Sequence, residues 1–174
     1  MTERIFLIGY RGTGKSTIAH LLAQRLDWNW RDADLVLEQR FGVPIRYIFD
    51  TEGETGFRNK ESLILSDLAT RSRCIISTGG GVVLRPENRA LLKSGATIWL
   101  TAEPGVIWQR LQGDAQTADR RPNLAGGGLA EIEQLLLVRQ PLYQMCADCT
   151  IDTTQATPEQ VVEKIMAWRT ASIY

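Results

Sequence analysis

Residues 9–16 read Gly9-Tyr10-Arg11-Gly12-Thr13-Gly14-Lys15-Ser16, and this stretch lies between an apolar run and a segment with helical periodicity. It matches the pattern G-x-x-x-x-G-K-[ST] in the strand-to-helix context that the pattern requires. Its glycines let the backbone turn tightly so that successive amides face inward, and the following helix adds the positive end of its dipole. The stretch therefore predicts a phosphate-binding loop, with a chance glycine-rich turn as the alternative.

Loops of this pattern hold a nucleoside triphosphate together with magnesium. We expect Lys15 to reach the β- and γ-phosphates of ATP and the Ser16 hydroxyl to bind Mg²⁺. The expected nucleotide contacts in and after the loop are Gly12, Thr13, Gly14, Lys15, Ser16 and Thr17. A loop alone does not separate a kinase from an ATPase, a switch or a nucleotide-sensing module, so any acceptor site has to be sought elsewhere.

Strand-like apolar runs alternate with helical segments along the chain. The predicted strands are Ile5–Ile8, residues 29–31, Cys74–Ser77, Thr97–Leu100 and Cys149–Ile151. The predicted helices are Ser16–Leu26, Glu54–Thr70, Pro86–Lys93, Pro104–Leu111, Leu129–Tyr143 and Pro158–Thr170. Because such alternation forces parallel pairing with helices on both faces, the pattern predicts an α/β fold of three layers, α/β/α, around a five-stranded parallel sheet.

Two regions break this alternation. Val43–Phe57 departs from the regular pattern, although the predicted helix Glu54–Thr70 begins within it, and it falls within the stretch of about residues 32–61 where we expect the acceptor to bind. Residues 113–128 carry Gly126-Gly127-Gly128 and have a composition that suits a hinged, flexible lid over a site. A disordered surface loop is the alternative for the second region.

Length and charge narrow the classes of function. The 174 residues suit one domain spanning 1–174, and 20 Lys plus Arg balance 20 Asp plus Glu. This balance does not favour binding to nucleic acid or to a membrane surface. Residues 1–9 show no cationic lead and no cleavage site, and no stretch is long enough to span a membrane. We therefore expect a cytoplasmic protein, and a monomer.

The three cysteines include a Cys-x-x-Cys pair, Cys146 and Cys149, which by itself could indicate zinc or redox chemistry. No second pair follows, and the only histidine, His20, is distant in sequence. We therefore expect reduced, partly buried thiols.

The sequence Asp32-Ala33-Asp34 follows the predicted second strand, so both carboxylates fall at the carboxyl edge of the sheet, where open α/β folds bind ligands. On extended backbone the two side chains would point in opposite directions. We expect Asp32 to face magnesium, through water, and Asp34 to orient or deprotonate the attacking hydroxyl. The alternative is a pair of turn aspartates, one of which caps a helix beginning near Leu35.

Other candidates are less specific when taken one at a time. Arg58 and Glu61 have the spacing of a helical ion pair, which could equally lie on the surface. Gly79-Gly80-Gly81 removes every side chain at a place where a ligand could approach the backbone. Arg139 alone would be interpreted as a solvated charge.

Together these elements occur in an order that resembles shikimate kinase. The elements are the phosphate loop, Asp32-x-Asp34, Gly53-Glu54-x-Gly56-Phe57-Arg58-x-x-Glu61, Gly79-Gly80-Gly81, Arg121-Pro122 and Arg139-x-Pro141-Leu142-Tyr143. The resemblance runs from Ile5 to about Pro158, and it implies a P-loop fold of the nucleoside monophosphate kinase type with a lid. It also implies transfer of the γ-phosphoryl group of ATP to the 3-hydroxyl of shikimate, giving shikimate 3-phosphate on the route to aromatic amino acids.

The resemblance implies a role for each matching residue. Arg58 and Arg139 look like the pair that holds the carboxylate of shikimate, with Glu61 orienting Arg58. The backbone of Gly79, Gly80 and Gly81 and the Asp34 carboxylate would meet the ring hydroxyls, with Phe49 and Phe57 as walls unless they are simply core residues. Arg121 looks like the lid arginine that closes on the phosphates, while Arg110 and the segment Thr153–Pro158 would flank adenine.

The sequence also departs from the family pattern. Ala33 replaces a hydroxyl residue, Asn123 replaces a leucine, and Arg120 precedes Arg121, so either arginine could serve the lid. Arg11 could contact either a substrate or solvent. The alternatives to a shikimate kinase are another small-metabolite kinase, such as one acting on gluconate or a nucleoside monophosphate, and a non-catalytic ATP-binding regulator.

Overall fold

The structure is a computed structural model, and it describes residues 3–113 and 127–171. Its strands are β1 (Arg4–Ile8), β2 (Asn29–Asp32), β3 (Cys74–Ser77), β4 (Ala96–Thr101) and β5 (Cys149–Asp152). They form one five-stranded sheet in the order β2-β3-β1-β4-β5, in which every neighbouring pair is parallel. The predicted five-stranded parallel sheet is confirmed.

The helices of the described residues pack on both faces of the sheet. They are α1 (Lys15–Leu26), α2 (Ala33–Phe41), α3 (Ile45–Leu68), α4 (Pro86–Leu92), α5 (Pro104–Gly113), α6 (Gly128–Cys146) and α7 (Pro158–Ala171). A short 3₁₀ turn, Val82–Leu84, precedes α4. Helix α6 continues through Pro141, beyond the predicted end at Tyr143.

The prediction that Val43–Phe57 is irregular is wrong, because α3 already begins at Ile45. Ile45 and Ile48 are buried at helical spacing, and Pro44 occupies the N-cap, where a missing amide costs nothing. The helix is interrupted only at Gly53, whose φ of 70° and ψ of −175° lie outside the helical region. A proline, a glycine and the local kink hid the helical period from sequence inspection.

Strand alternation divides the core between the two faces of the sheet. On β1, Phe6 and Ile8 pack toward α2, α3 and α6, whereas Ile5 and Leu7 pack toward α1 and α7. The other strands sort their residues in the same way: Ile76 joins the first cluster and Ile75 the second. Strands β1 and β3 are buried on both faces and therefore read as apolar runs, as central parallel strands do, whereas the edge strands β2 and β5 are partly exposed.

The strand register brings the predicted functional segments to one edge of the sheet. Leu7 of β1 and Asp32 of β2 both pair with Ser77 of β3. The phosphate loop, the start of α2 and the turn that follows β3 therefore leave the sheet side by side. This is the carboxyl edge, where parallel α/β sheets bind ligands.

The cysteines are free thiols, as predicted. Cys74 and Cys146 are buried and Cys149 is partly buried. Burial raises the pKa of each thiol above its ordinary value, which keeps the thiols protonated and weakly reactive.

Candidate active site

The phosphate loop has the backbone that its glycines predict. Gly9, Gly12 and Gly14 have φ angles of 136°, 78° and 92°, which side-chain-bearing residues rarely adopt. A Cβ at Gly9 would also overlap the Leu100 carbonyl of β4, so this position admits only glycine. Gly14 is the N-cap of α1, and the amide-bearing start of that helix therefore faces the loop.

The carbonyl of Tyr10 braces the loop from within. The Nζ atom of Lys15 donates to this carbonyl at 2.7 Å, and Oγ1 of Thr13 donates to it at 2.8 Å. Thr13 and Lys15 are both buried. Sequence inspection had not indicated Tyr10, which is a variable position of the loop pattern. Lys15 thus lies folded along the loop, beside the place where the pattern puts the phosphates.

The side chain of Tyr10 lies near two arginines. Its ring is buried, and the guanidinium carbons of Arg11 and Arg139 are each 5.8 Å from the ring centroid. Burial raises the pKa of the Tyr10 hydroxyl, although the charge of Arg11 opposes the shift. The neutral ring is therefore close to two positive charges at one side of the loop.

The expected metal ligands are in contact with each other. The Ser16 hydroxyl donates to Oδ2 of Asp32 at 2.5 Å and lies 3.2 Å from the hydroxyl of Ser77. Hydroxyl and carboxylate oxygens are the hard donors that Mg²⁺ prefers, so the residues fit this ion. Sequence inspection missed Ser77, and only the β2–β3 register could have indicated it.

The second oxygen of Asp32 has a structural task. Oδ1 accepts hydrogen bonds from the amides of Asp34 at 3.0 Å and Leu35 at 3.2 Å, so Asp32 caps α2. One carboxylate therefore does both: Oδ1 of Asp32 caps the helix, as the alternative prediction had it, and Oδ2 contacts Ser16. Asp34 lies in the first turn of α2. The assumed extended backbone between the two aspartates is therefore wrong, because the strand ends at Asp32.

Arg58 is buried on α3 and contacts two carboxylates. Its Nη1 donates to Oε2 of Glu61 at 2.7 Å, while Nε and Nη2 donate to Oε1 of Glu54 at 3.2 and 3.1 Å. Glu61 is buried, whereas Glu54 is half exposed. The surface alternative for the Arg58–Glu61 pair is therefore wrong. Breaking a buried ion pair would leave an uncompensated charge in the interior, which is strongly destabilising. The pair with Glu61 therefore holds the Arg58 guanidinium in one position.

The glycines after β3 lie between two guanidinium groups. A Cβ on Gly81 would overlap the guanidinium of Arg58, and one on Gly80 would lie 3.6 Å from Nη1 of Arg139 and 3.5 Å from the amide nitrogen of Arg11. These glycines therefore permit close packing of arginine side chains against the backbone. Gly79 leads into the same turn, and its carbonyl accepts a hydrogen bond from Val82 at 3.2 Å.

Arg139 lies on α6 and is only 7% exposed. The interpretation of Arg139 alone as a solvated charge is therefore wrong. Phe49 and Phe57 stack at 4.7 Å between ring centroids, and the Arg58 guanidinium carbon lies 5.0 Å from the Phe57 centroid. Phe57 is fully buried, and Phe49 packs on the same core cluster from a partly buried position. The apolar cluster thus supports the underside of Arg58.

A cavity of about 300 Å³ adjoins the phosphate loop on the side of α1 and α7. Arg110 lines it, and its guanidinium donates to Oγ1 and the carbonyl of Thr153, at 3.1 and 2.6 Å, and to the carbonyl of Gly12 at 3.4 Å. The predicted nucleotide residues Thr13, Gly14, Thr17, Arg110 and Pro158 all line this one cavity, together with Ile18, Thr153, Ala156 and Val161.

Arg11 lies on the opposite side of the phosphate loop. Its Nη2 is 3.4 Å from Oε1 of Glu131, a buried residue of α6, and Oε2 of Glu131 accepts a hydrogen bond from the amide of Gly127 at 2.9 Å. Arg11 thus lies on the side of Arg139, away from the 300 Å³ cavity. Of the predicted lid, residues 113–128, Gly113 ends α5 and Gly127 and Gly128 begin α6. Residues 114–126, with Arg120, Arg121 and Asn123, lie outside the described residues.

In the described ranges, no helix is both long and apolar enough to cross a membrane.

Comparison with known proteins gives the family. The family model described as "Shikimate kinase" matches residues 11–170. A shikimate kinase from Rhodopirellula baltica is 41% identical over 173 residues, covering 98% of this chain and 92% of its own. The structure of a shikimate kinase from Acinetobacter baumannii in complex with shikimate has a TM-score of 0.92 at 31% identity, covering 99% of this chain and 95% of that one.

A structural match at low sequence identity shows a shared fold but not a shared function. A gluconokinase from Sinorhizobium meliloti 1021 matches with a TM-score of 0.59 at 16% identity, covering 95% of this chain and 90% of that chain. At this identity the likeness shows only the shared P-loop kinase fold. Two findings show more than a shared fold. A relative is 41% identical over almost the whole chain, and the family model matches residues 11–170. This chain belongs to the shikimate kinase family.

Proposed function

We propose that this protein transfers the γ-phosphoryl group of ATP to the 3-hydroxyl of shikimate, giving shikimate 3-phosphate and ADP. The observation that carries the proposal is the pair of buried arginines, Arg58 and Arg139, on either side of Gly80–Gly81 and next to the phosphate loop. Guanidinium groups bind planar carboxylates through two parallel hydrogen bonds. Such a pair suits a small carboxylate such as shikimate.

The phosphate end is supported by the loop and its neighbours. Backbone amides of Gly12, Thr13 and Gly14 would surround the phosphates, with Lys15 exchanging the Tyr10 carbonyl for phosphate oxygens. Ser16, with Asp32 through water, would hold Mg²⁺, which neutralises charge on the transferred group. The 300 Å³ cavity beside Arg110, Thr17 and Pro158 suits adenine in position and size.

The acceptor end would be formed by residues of α2, α3, α6 and the glycine turn. Arg58 and Arg139 would bind the carboxylate, and the preformed Arg58–Glu61 pair keeps one guanidinium in place before the acceptor arrives. Asp34, in the first turn of α2, would hold the attacking hydroxyl in line with the terminal phosphate. Gly79, Gly80 and Gly81 would offer backbone groups to the ring hydroxyls, and Phe49 an apolar wall.

Arg121 is proposed as the lid arginine that offsets charge on the transferred phosphoryl group, in the way an arginine finger does. Arg120 is the alternative. We also propose that the protein works as a monomer in the cytoplasm. The free thiols suit a reducing compartment.

The test is a coupled assay of ADP release with shikimate, quinate, gluconate and nucleoside monophosphates side by side. We expect ADP release that depends on shikimate, little response to gluconate, and a product with the phosphate on the 3-hydroxyl. Equal rates with and without shikimate, together with a clear response to another acceptor, would refute the proposal. An Mg²⁺ titration with and without EDTA tests the metal separately.

A further inference from the structure

Helix α6 turns a row of buried polar side chains toward the site. Arg139 and Tyr143 are neighbours four residues apart on the helix, and Glu131 lies eight residues before Arg139, about 80° further round the helix. All three are buried, with exposures of 1%, 7% and 0%. Glu131 contacts Arg11, and Arg139 adjoins Gly80. The proposed chemistry gives Tyr143 no role, although this residue contacts the glycine turn.

Tyr143 contacts the glycine turn directly. Its hydroxyl donates a hydrogen bond to the carbonyl of Gly80. Its ring stacks on Trp99 of β4, with centroids 5.6 Å apart and an angle of 27° between the ring planes. Stacking and complete burial leave the ring no room to turn, so the hydroxyl is a fixed donor aimed at one backbone oxygen.

The hydrogen bond orients a whole peptide unit. The Gly80–Gly81 peptide is trans, since the described residues contain no cis peptide bond. In a planar trans peptide the carbonyl and the following N–H point in opposite directions. Holding the Gly80 carbonyl toward Tyr143 therefore directs the Gly81 amide away from α6.

The glycine turn needs such an external hold. Glycine has the widest choice of backbone conformations, so a glycine pair does not fix its own peptide plane. The neighbouring carbonyls of Gly79 and Gly81 are held locally by the amides of Val82 and Leu84, at 3.2 and 3.0 Å. The carbonyl between them is held by Tyr143, a residue that is far away in sequence.

We propose that Tyr143 is a positioning residue for the acceptor: its hydroxyl fixes the Gly80–Gly81 peptide so that the Gly81 amide meets shikimate. This inference rests on the proposed function and deepens it. Because Arg139 lies one turn earlier on the same helix, α6 sets both a charged contact and a backbone contact to the acceptor. The two contacts then keep a constant separation whenever the helix moves as a unit.

The direct test is Tyr143→Phe, which removes the donor and keeps the ring stacked on Trp99. We expect the KM for shikimate to rise about tenfold, while the KM for ATP changes by less than about twofold, because one neutral hydrogen bond is lost at the acceptor end only. Rescue by para-aminophenylalanine at position 143, which restores a donor, should bring the shikimate KM most of the way back.

The matched control is Thr97→Val. The Thr97 hydroxyl also donates from a buried position to a backbone carbonyl, that of Leu92 at 3.0 Å, but on β4 away from the site. We expect this variant to lower the melting temperature by about 3 °C without altering either KM. If Tyr143→Phe also lowers the melting temperature but leaves the KM for shikimate unchanged, Tyr143 has only a structural role and the inference is wrong.

A measurement on the unaltered enzyme keeps the inference testable if Tyr143→Phe does not fold. The ¹⁵N-labelled enzyme is titrated with shikimate, and we expect the Gly81 amide proton to shift downfield in a saturable way. If the chemical shift of the Gly81 amide proton does not change at saturating shikimate, the inference is wrong. An enzyme with no shikimate-dependent turnover would instead refute the proposed function.

Discussion

The phosphate end and the acceptor end of this site are built in different ways. Eight consecutive residues form the phosphate loop, and their glycines set its backbone through positive φ angles. The acceptor end instead combines Arg58, Gly81 and Arg139, which lie on separate elements and meet only in the folded chain. One end is encoded locally, and the other depends on tertiary packing. Changes at the acceptor end should therefore disturb acceptor binding, turnover or folding while they spare the nucleotide.

The largest effect that separates the two ends is expected for Asp34→Asn. Loss of the carboxylate that orients the attacking hydroxyl should lower kcat by about 10³-fold. The affinity for ATP should stay within about twofold, because Asp34 belongs to the acceptor end. Stopped-flow kinetics measures kcat, and calorimetry with a non-hydrolysable ATP analogue measures the affinity for the nucleotide.

Asp50→Asn is the control for this change, since Asp50 is an exposed aspartate of α3. It should leave kcat unchanged. An equal loss of nucleotide affinity and turnover in Asp34→Asn would place the carboxylate at the wrong end of the site.

The second effect concerns the arginine of α6. Arg139→Ala should raise the KM for shikimate about thirtyfold through loss of a charge-assisted hydrogen bond, with little change in the KM for ATP. Arg46→Ala, at an exposed arginine of α3, provides the comparison and should change neither constant. A defect confined to ATP in Arg139→Ala would contradict the assignment of this residue to the acceptor.

The third effect tests the glycine packing. Gly81→Ala places a methyl group into the guanidinium of Arg58, so we expect a KM for shikimate about tenfold higher and an unfolding free energy lower by about 1–3 kcal/mol. Gly105→Ala on α5 adds a methyl group in open space and should be neutral or slightly stabilising. Identical behaviour of the two variants in kinetics and urea denaturation would show that Arg58 is not packed against the turn.

The smallest effect concerns the nucleotide end and pH. The hydroxyl and amide of Thr154 donate to Oδ1 of Asp152, at 2.6 and 2.8 Å, and these hydrogen bonds lower the pKa of the Asp152 carboxyl. A lowered folded pKa contributes stability above the usual aspartate pKa, and that contribution is lost as the pH falls through the folded value. The turn also carries Thr153, which holds Arg110.

The expected consequence is a difference in melting temperature of about 2 °C or less between the wild type and Asp152→Asn near neutral pH, since the carboxyl is exposed. The difference should shrink as the pH is lowered to about 3. A difference that stays constant across the titration would mean that the Thr154 hydrogen bonds do not favour the ionised carboxyl.

The sequence predicted most of the fold because the signals were local. Buried strands such as Cys74–Ser77 read as apolar runs, and the phosphate loop marked the first strand-to-helix turn. Prediction was wrong at Val43–Phe57, where the kink at Gly53 interrupts the helical period. It was also wrong in treating Asp32-Ala33-Asp34 as extended, because the capping role of Asp32 ends the strand there.

The parts of the site that sequence inspection missed depend on tertiary packing. The contact of Ser77 with Ser16 depends on the pairing of β3 with both β1 and β2, and the hydrogen bond from Tyr143 to Gly80 joins segments that are distant in sequence. The burial of Arg139 could not be read from its neighbours, since a lone arginine on a helix is usually solvated. Only the motif order indicated its role.

Calorimetry with shikimate and its methyl ester tests most directly whether the buried arginine pair binds a carboxylate. We predict that the ester, which lacks the anion, binds at least about a hundredfold more weakly, and that Arg139→Ala narrows this difference. Equal affinities of the acid and the ester for the wild-type enzyme would contradict the account.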